Sequence, residues 1–140
     1  MEQEQNTLLL KDISARLPYN PIVEYKGEIY NVLGITVGRL VLCKPFMSCA
    51  LNEYPLVEEV KLYLYPLLSM TEEQREELFT VVLDEQVSIS DCSFNDMTGY
   101  SEILTNYIID AIDWLNKNHF DYRGLIPMGL AKDATGLNIY

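Results

Sequence analysis

His119 is the only histidine in the chain, and it opens the run His119-Phe120-Asp121-Tyr122-Arg123 close behind the only tryptophan, Trp114. An imidazole, a carboxylate, a phenol and a guanidinium in one short run are the parts of an acid–base site, or of a pocket that grips an anion. Nucleophilic catalysis would need His119 to activate a serine or cysteine. The sequence offers no G-x-S-x-G elbow, no P-loop and no dinucleotide fingerprint to accompany it. A lone histidine where a helix ends more often offsets the helix dipole or bonds the last carbonyls. No catalytic residue is assigned. His119, Asp121, Tyr122 and Arg123 read instead as a tightly keyed structural corner or as a recognition surface.

Metal chemistry is no better supported. Cys43, Cys49 and Cys92 contain no C-x-x-C pair, and one histidine does not complete a zinc set with them. Asp91, Asn95 and Asp96 lack the spacing and closing glutamate of an EF-hand and read as turn and N-cap residues. Neither a metal nor another cofactor is expected. The carboxylates Glu72, Glu73, Glu76 and Glu77, continued by Asp84 and Glu85, would line one side of a helix. They are a solvated face, or a surface that meets a basic partner.

The chain of 140 residues suits one domain spanning 1–140, and its apolar content suits a folded core. Ten Lys and Arg residues against 21 acids give a net charge of −11. Basic side chains supply most of the affinity for phosphate backbones, so direct nucleic-acid binding is disfavoured, as is adhesion to anionic lipid. The longest apolar runs fall well short of a membrane span. The acidic start Met1-Glu2-Gln3-Glu4 differs from a secretory signal, and three cysteines without a paired framework fit a reducing cytosol.

The elements that must position these residues follow from periodicity. Residues 7–17 form a helix with Leu9, Ile13 and Leu17 in register, ended by Pro18 and Pro21. Ile22–Tyr25, Ile29–Val37 and Leu40–Cys43 are strands joined by reversals at Lys26-Gly27-Glu28 and Gly38-Arg39, and Gly34 predicts a bulge or bend. Val57–Tyr65 alternates as a fourth strand, with Val60, Leu62 and Leu64 inward. Thr71 and Gln74 form a capping box for a helix that runs to about Leu83 and buries Leu78, Phe79 and Val82. Ser88–Asn95 reads as a loop or short edge strand. A last helix from about Thr98 carries Leu104, Tyr107, Ile108, Ala111 and Leu115 on one stripe, and Asn118 is its left-handed stop. The expected fold is α+β: a small bent antiparallel sheet of three to five strands, packed by an N-terminal helix and two helices from the C-terminal half. At the corner, Trp114 and Phe120 should enter the core while Asp121 and Arg123 are paired or bonded to backbone. Gly124 should then turn the chain so that residues 125–140 are latched to the domain.

Several blocks together resemble a known group. They are Lys11-Asp12-Ile13-Ser14-Ala15-Arg16-Leu17-Pro18-Tyr19, Lys44-Pro45-Phe46, Pro66-Leu67-Leu68-Ser69-Met70-Thr71-Glu72-Glu73-Gln74, Asp113-Trp114-Leu115-Asn116 and His119 through Ile126. The group comprises small uncharacterised proteins encoded by phages, prophages and mobile elements of gut bacteria. There the second block commonly runs straight into the third, so Phe46–Tyr65 reads as an insertion. The resemblance implies a mobile-element origin and the cytosol of a bacterial host, and it brings no activity with it.

The expected function is therefore a non-enzymatic, cytosolic, protein-binding accessory protein of a phage or mobile element, with a host or phage protein as partner. Ten tyrosines, among them Tyr25, Tyr30, Tyr54, Tyr63 and Tyr65, suit half-buried sheet positions and contact surfaces alike. Two alternatives stand beside it. One is an acidic inhibitor of a host defence or nucleic-acid enzyme, its carboxylates set out like phosphates. The other is a small enzyme or nucleotide-binding module built on the His119–Arg123 corner, which a deep pocket there would favour.

Overall fold

The helix α1 (Glu2–Arg16) starts five residues before the apolar periodicity does, with Glu2 and Glu4 where the helix dipole favours acids. It lays Leu9 and Ile13 on the sheet, and each contributes about 2 kcal/mol by leaving water. Asp12 and Arg16 on the same face are also fully buried. Leu17–Tyr19 tighten into a 3-10 turn because Pro18 cannot donate to the helical ladder, and Asn20 ends it in a left-handed conformation. The computed structural model describes residues 2–45, 50, 51, 53–90 and 108–140, with 82–90 as helical backbone only.

Four strands form the sheet's frame: β1 (Ile22–Tyr25), β2 (Glu28–Thr36), β3 (Arg39–Cys43) and β4 (Lys61–Pro66). Their order is β3-β2-β1-β4, and every neighbouring pair is antiparallel. The two hairpins turn on Lys26-Gly27 and Val37-Gly38, all four at positive φ. That is the geometry of the two-residue turns whose twist matches their strands. The second reversal thus sits one residue earlier than Gly38-Arg39. The register shifts between Val32 and Gly34, so the bulge foreseen from Gly34 is present and turns Leu33 outward.

Two short strands from the C-terminal quarter, β5 (Phe120–Asp121) and β6 (Ala131–Asp133), pair with β4 in parallel. The fold is α+β, and its sheet is mixed where an antiparallel one was expected. Hairpin lengths dictate antiparallel neighbours, but a segment returning from far along the chain is under no such constraint. β4 is the strand that β1, β5 and β6 all join. Residues 61–65 of the stretch that reads as an insertion are therefore central to the sheet. Of the rest of that stretch, 46–49 and 52 lie outside the described residues, and Ala50 and Leu56 bridge to Cys43 and Arg39.

The sheet is covered on two sides. On one, Leu9 and Ile13 of α1 meet Val23, Leu40, Leu42, Leu62 and Leu64. On the other, Ile22 and Tyr63 pack with Ala134, Ile29, Tyr65 and Ile139. That second cover is the C-terminal tail rather than a helix, which is why Tyr63 is buried although it alternates out of phase with Leu62 and Leu64.

The helix α2 (Glu72–Ser90) begins at the expected capping box, Thr71 and Gln74 exchanging both hydrogen bonds. It continues past Leu83, so Ser88–Ser90 are helical rather than loop or strand. Its described apolar residues are not core: Leu78 is half-buried and Phe79 is 62% exposed. A third helix, α3, is described over 108–117. It buries Trp114 and Asn116 and leaves Ile108, Ile109 and Ile112 exposed, a different face from the stripe predicted through Ile108. The readings placed on Val82, Asp84, Glu85, Asp91, Cys92, Asn95, Asp96, Leu104 and Tyr107 fall on side chains outside those described. No described helix is long and apolar enough to cross a membrane.

Candidate functional site

The end of α3 builds the corner. Its last turn leaves carbonyls without helical partners, and the Asn118 carboxamide donates to Trp114 O at 2.9 Å while His119 N–H donates to Asn116 O at 3.1 Å. The left-handed stop is His119, with φ 62°, one residue beyond the expected Asn118. This reversal delivers Phe120 and Asp121 to β4, where Tyr65 N–H donates to His119 O at 2.8 Å. Phe120 stacks on Trp114 and touches Tyr65, Tyr65 touches Tyr140, and Tyr140 stacks on His119 with ring centroids 3.5 Å apart. The Tyr140 hydroxyl accepts from Ile22 N–H at 3.0 Å and donates to Tyr63 O at 2.8 Å. Burial of that hydroxyl raises its pKa.

The ionic residues of the corner turn inward. Asp121 accepts from the N–H groups of Leu125 at 2.8 Å and Ile126 at 2.9 Å, across the reversal that Gly124 allows at φ 74°. Asp12 is shared by two guanidinium groups. Arg16 Nε lies 2.8 Å from one carboxylate oxygen and Arg123 Nε 3.0 Å from the other. Arg16 Nη2 also donates to Phe120 O at 2.6 Å. The Tyr122 ring lies near both guanidinium carbons, at 5.3 and 5.2 Å, and its hydroxyl donates to Asn116 Oδ1. Nearly every polar group here is spent on holding the chain.

Nη1 of Arg16, Nε1 of Trp114 and Nδ1 of His119 are enclosed without a hydrogen-bond partner among the described residues. Burial, helped by the nearby Arg16 charge, lowers the His119 pKa from 6.5 to about 4. The imidazole is neutral at physiological pH, far from the poise of a general base working near pH 7.

Beside His119 opens a partly open cleft of about 540 Å³ between the tail and the first hairpin. Ile22, Ile29 and Ile139 belong to its apolar lining, and Asn20, Asn31 and Asn138 line it too. His119 and Tyr140 line one side.

The predicted site residues thus divide. His119, Asp121, Tyr122 and Arg123 are brought together, but only His119 faces the cleft. Glu72, Glu73, Glu76 and Glu77 lie on α2, all exposed. Among the described residues no three His, Cys, Asp or Glu side chains converge on a common point, and Cys49 and Cys92 lie outside them. Sequence reasoning did not single out Asp12 and Arg16, the buried half of the ionic network. Their i, i+4 spacing on the face of Leu9 and Ile13 was the available signal. It also missed Tyr140 and the three asparagines, which come from distant segments with no shared pattern. The chain matches no protein-family model, no curated protein and no solved structure.

Proposed function

We propose that this chain is a non-enzymatic binding protein of a phage or mobile element that acts by contact with another protein in the host cytosol. The observation that carries the reading is the face of α3 that bears Ile108, Ile109 and Ile112, 55%, 48% and 36% exposed. Contiguous exposed aliphatic side chains of this kind mark interaction surfaces in folded proteins. The corner next to them supports the reading from the other side, because its ionic groups are already engaged within the chain. The test is capture of partners from the host on immobilised wild-type chain and on an Ile109→Glu, Ile112→Glu variant of unchanged circular dichroism. A stoichiometric partner held by the wild type and lost by the variant is expected. Equal capture by both removes the α3 face from the account.

An acidic-inhibitor reading draws on a separate observation. Glu72 and Glu76, and Glu73 and Glu77, are exposed i, i+4 pairs on α2, so four carboxylates stand in two adjacent rows. On that reading a basic nucleic-acid enzyme is the partner, and Gln at all four positions abolishes its capture.

A further inference from the structure

The protein-binding reading makes no use of the cleft beside His119. At about 540 Å³ it is the size of a site for a small organic molecule. Its described lining contains no Asp, Glu, Lys or Arg. Elsewhere this chain gives the ions it encloses a partner, as Asp12 has Arg16 and Asp121 has two backbone N–H groups. A charged guest in the cleft would lose hydration and find no charged side chain in the described lining to pair with.

What the lining does contain is three asparagines, Asn20, Asn31 and Asn138. None of Asn20, Asn31 and Asn138 spends its side chain on a hydrogen bond to another described residue. A carboxamide presents an acceptor beside a donor, the complement of the amide and amidine edges of purines and pyrimidines. The isoleucine walls and the His119–Tyr140 stack supply apolar and aromatic surface for the faces of a flat ring.

The backbone marks the same place. Five described non-glycine residues have positive φ: Asn20, Lys26, Val37, His119 and Asn138. Lys26 and Val37 belong to the hairpin turns, and the other three all line the cleft. Asn20 and His119 take theirs as helix stops, so the turns that end two helices deliver residues to the rim of the same cleft.

We propose that the cleft between the first hairpin and the C-terminal tail binds a small neutral heterocycle with amide-like edges, of nucleobase or nucleoside type and without phosphate. A net charge of −11 opposes phosphate, and so points to the free compound rather than a base within a nucleic-acid strand.

The test is titration of the full chain with adenosine, guanosine, cytidine and uridine, each beside its 5′-monophosphate and a single-stranded oligonucleotide. Binding is read from the asparagine side-chain amide signals in nitrogen–proton correlation spectra. At least one nucleoside is expected to shift those signals and saturate, and its monophosphate to bind more weakly. Asn20→Gly with Asn138→Gly keeps the left-handed backbone and deletes two carboxamides, so affinity should fall about tenfold with backbone spectra preserved. Ile29→Trp fills the cleft and should abolish the shifts. The proposal is overturned if no nucleoside saturates at millimolar concentration. It is equally overturned if the monophosphate or oligonucleotide binds more tightly, or if the double glycine variant binds like the wild type.

Discussion

Asp12 is the residue on which the corner's charge balance rests. It is fully buried and faces two guanidinium groups, one of them also fully buried. Removing it leaves Arg16 charged and enclosed, a loss that costs about 3–5 kcal/mol. Asp12→Ala should therefore lower unfolding free energy by about that much in urea titration, and a change below about 1 kcal/mol would show the pair to be dispensable. His119 makes a second, pH-dependent claim. Its folded pKa of about 4 lies below the ordinary 6.5, so the unfolded chain binds the proton more readily. Above pH 6.5 the residue is neutral in both states and adds no pH dependence. Between 6.5 and about 4 stability should fall as pH falls, by about 3 kcal/mol in all. Glu24, Glu28 and Glu53 are lowered from 4.5 by their hydrogen bonds to Lys and Tyr partners, so they add a separate loss of stability as pH falls towards and below that value. His119→Asn tolerates the left-handed backbone and should abolish the slope between pH 6.5 and about 5.5, above the range in which the carboxylates contribute. If wild type and variant lose stability in parallel from pH 6.5 to 4, the imidazole is not held neutral.

Among the elements, the second hairpin carries a strain that substitution can relieve. Val37 is β-branched, sits at φ 50° and is 97% exposed, so it suffers the left-handed penalty without burying anything in return. Val37→Asn should stabilise the fold by about 1 kcal/mol, seen as a higher melting temperature, and an unchanged or lower value would mean the turn imposes no such strain. The strands up to Cys43 and the capping box of α2 were legible in the sequence because each rests on local chemistry: alternation, glycine at a turn, a Thr–Gln exchange. The helix faces were not. Phe79 and Ile108 look like core residues on a helical wheel, yet they are exposed, while Asn116 and Asp12 are buried. A wheel reports which side is apolar, and the tertiary partner decides which side is covered. β5 and β6 were missed because strands this short have no periodicity to read, and their pairing with β4 depends on where the corner sends the chain.

At the scale of the whole molecule, charge and closure govern. A net charge of −11, with Glu72, Glu73, Glu76 and Glu77 exposed, predicts no mobility shift of duplex DNA even at low salt. A retarded band at physiological salt would require a basic patch that the described surface does not suggest. Closure is achieved by the corner. Asp121 holds the backbone of Leu125 and Ile126, and from there the tail places Ala131 beside β4, Ala134 over Tyr63 and Tyr140 on His119. The candidate corner was legible in the sequence as a dense run of polar and aromatic types, but not its division of labour. The side chains that look most like chemistry hold the fold, and the cleft they support is lined from segments over a hundred residues apart. Thermal unfolding of Asp121→Ala tests this most directly. Losing one carboxylate that satisfies two amides should cost about 3 kcal/mol and lower the midpoint by about 10 °C. A midpoint equal to the wild type's would show that the corner does not latch the tail, and would return Asp121, Tyr122 and Arg123 to the surface that binds.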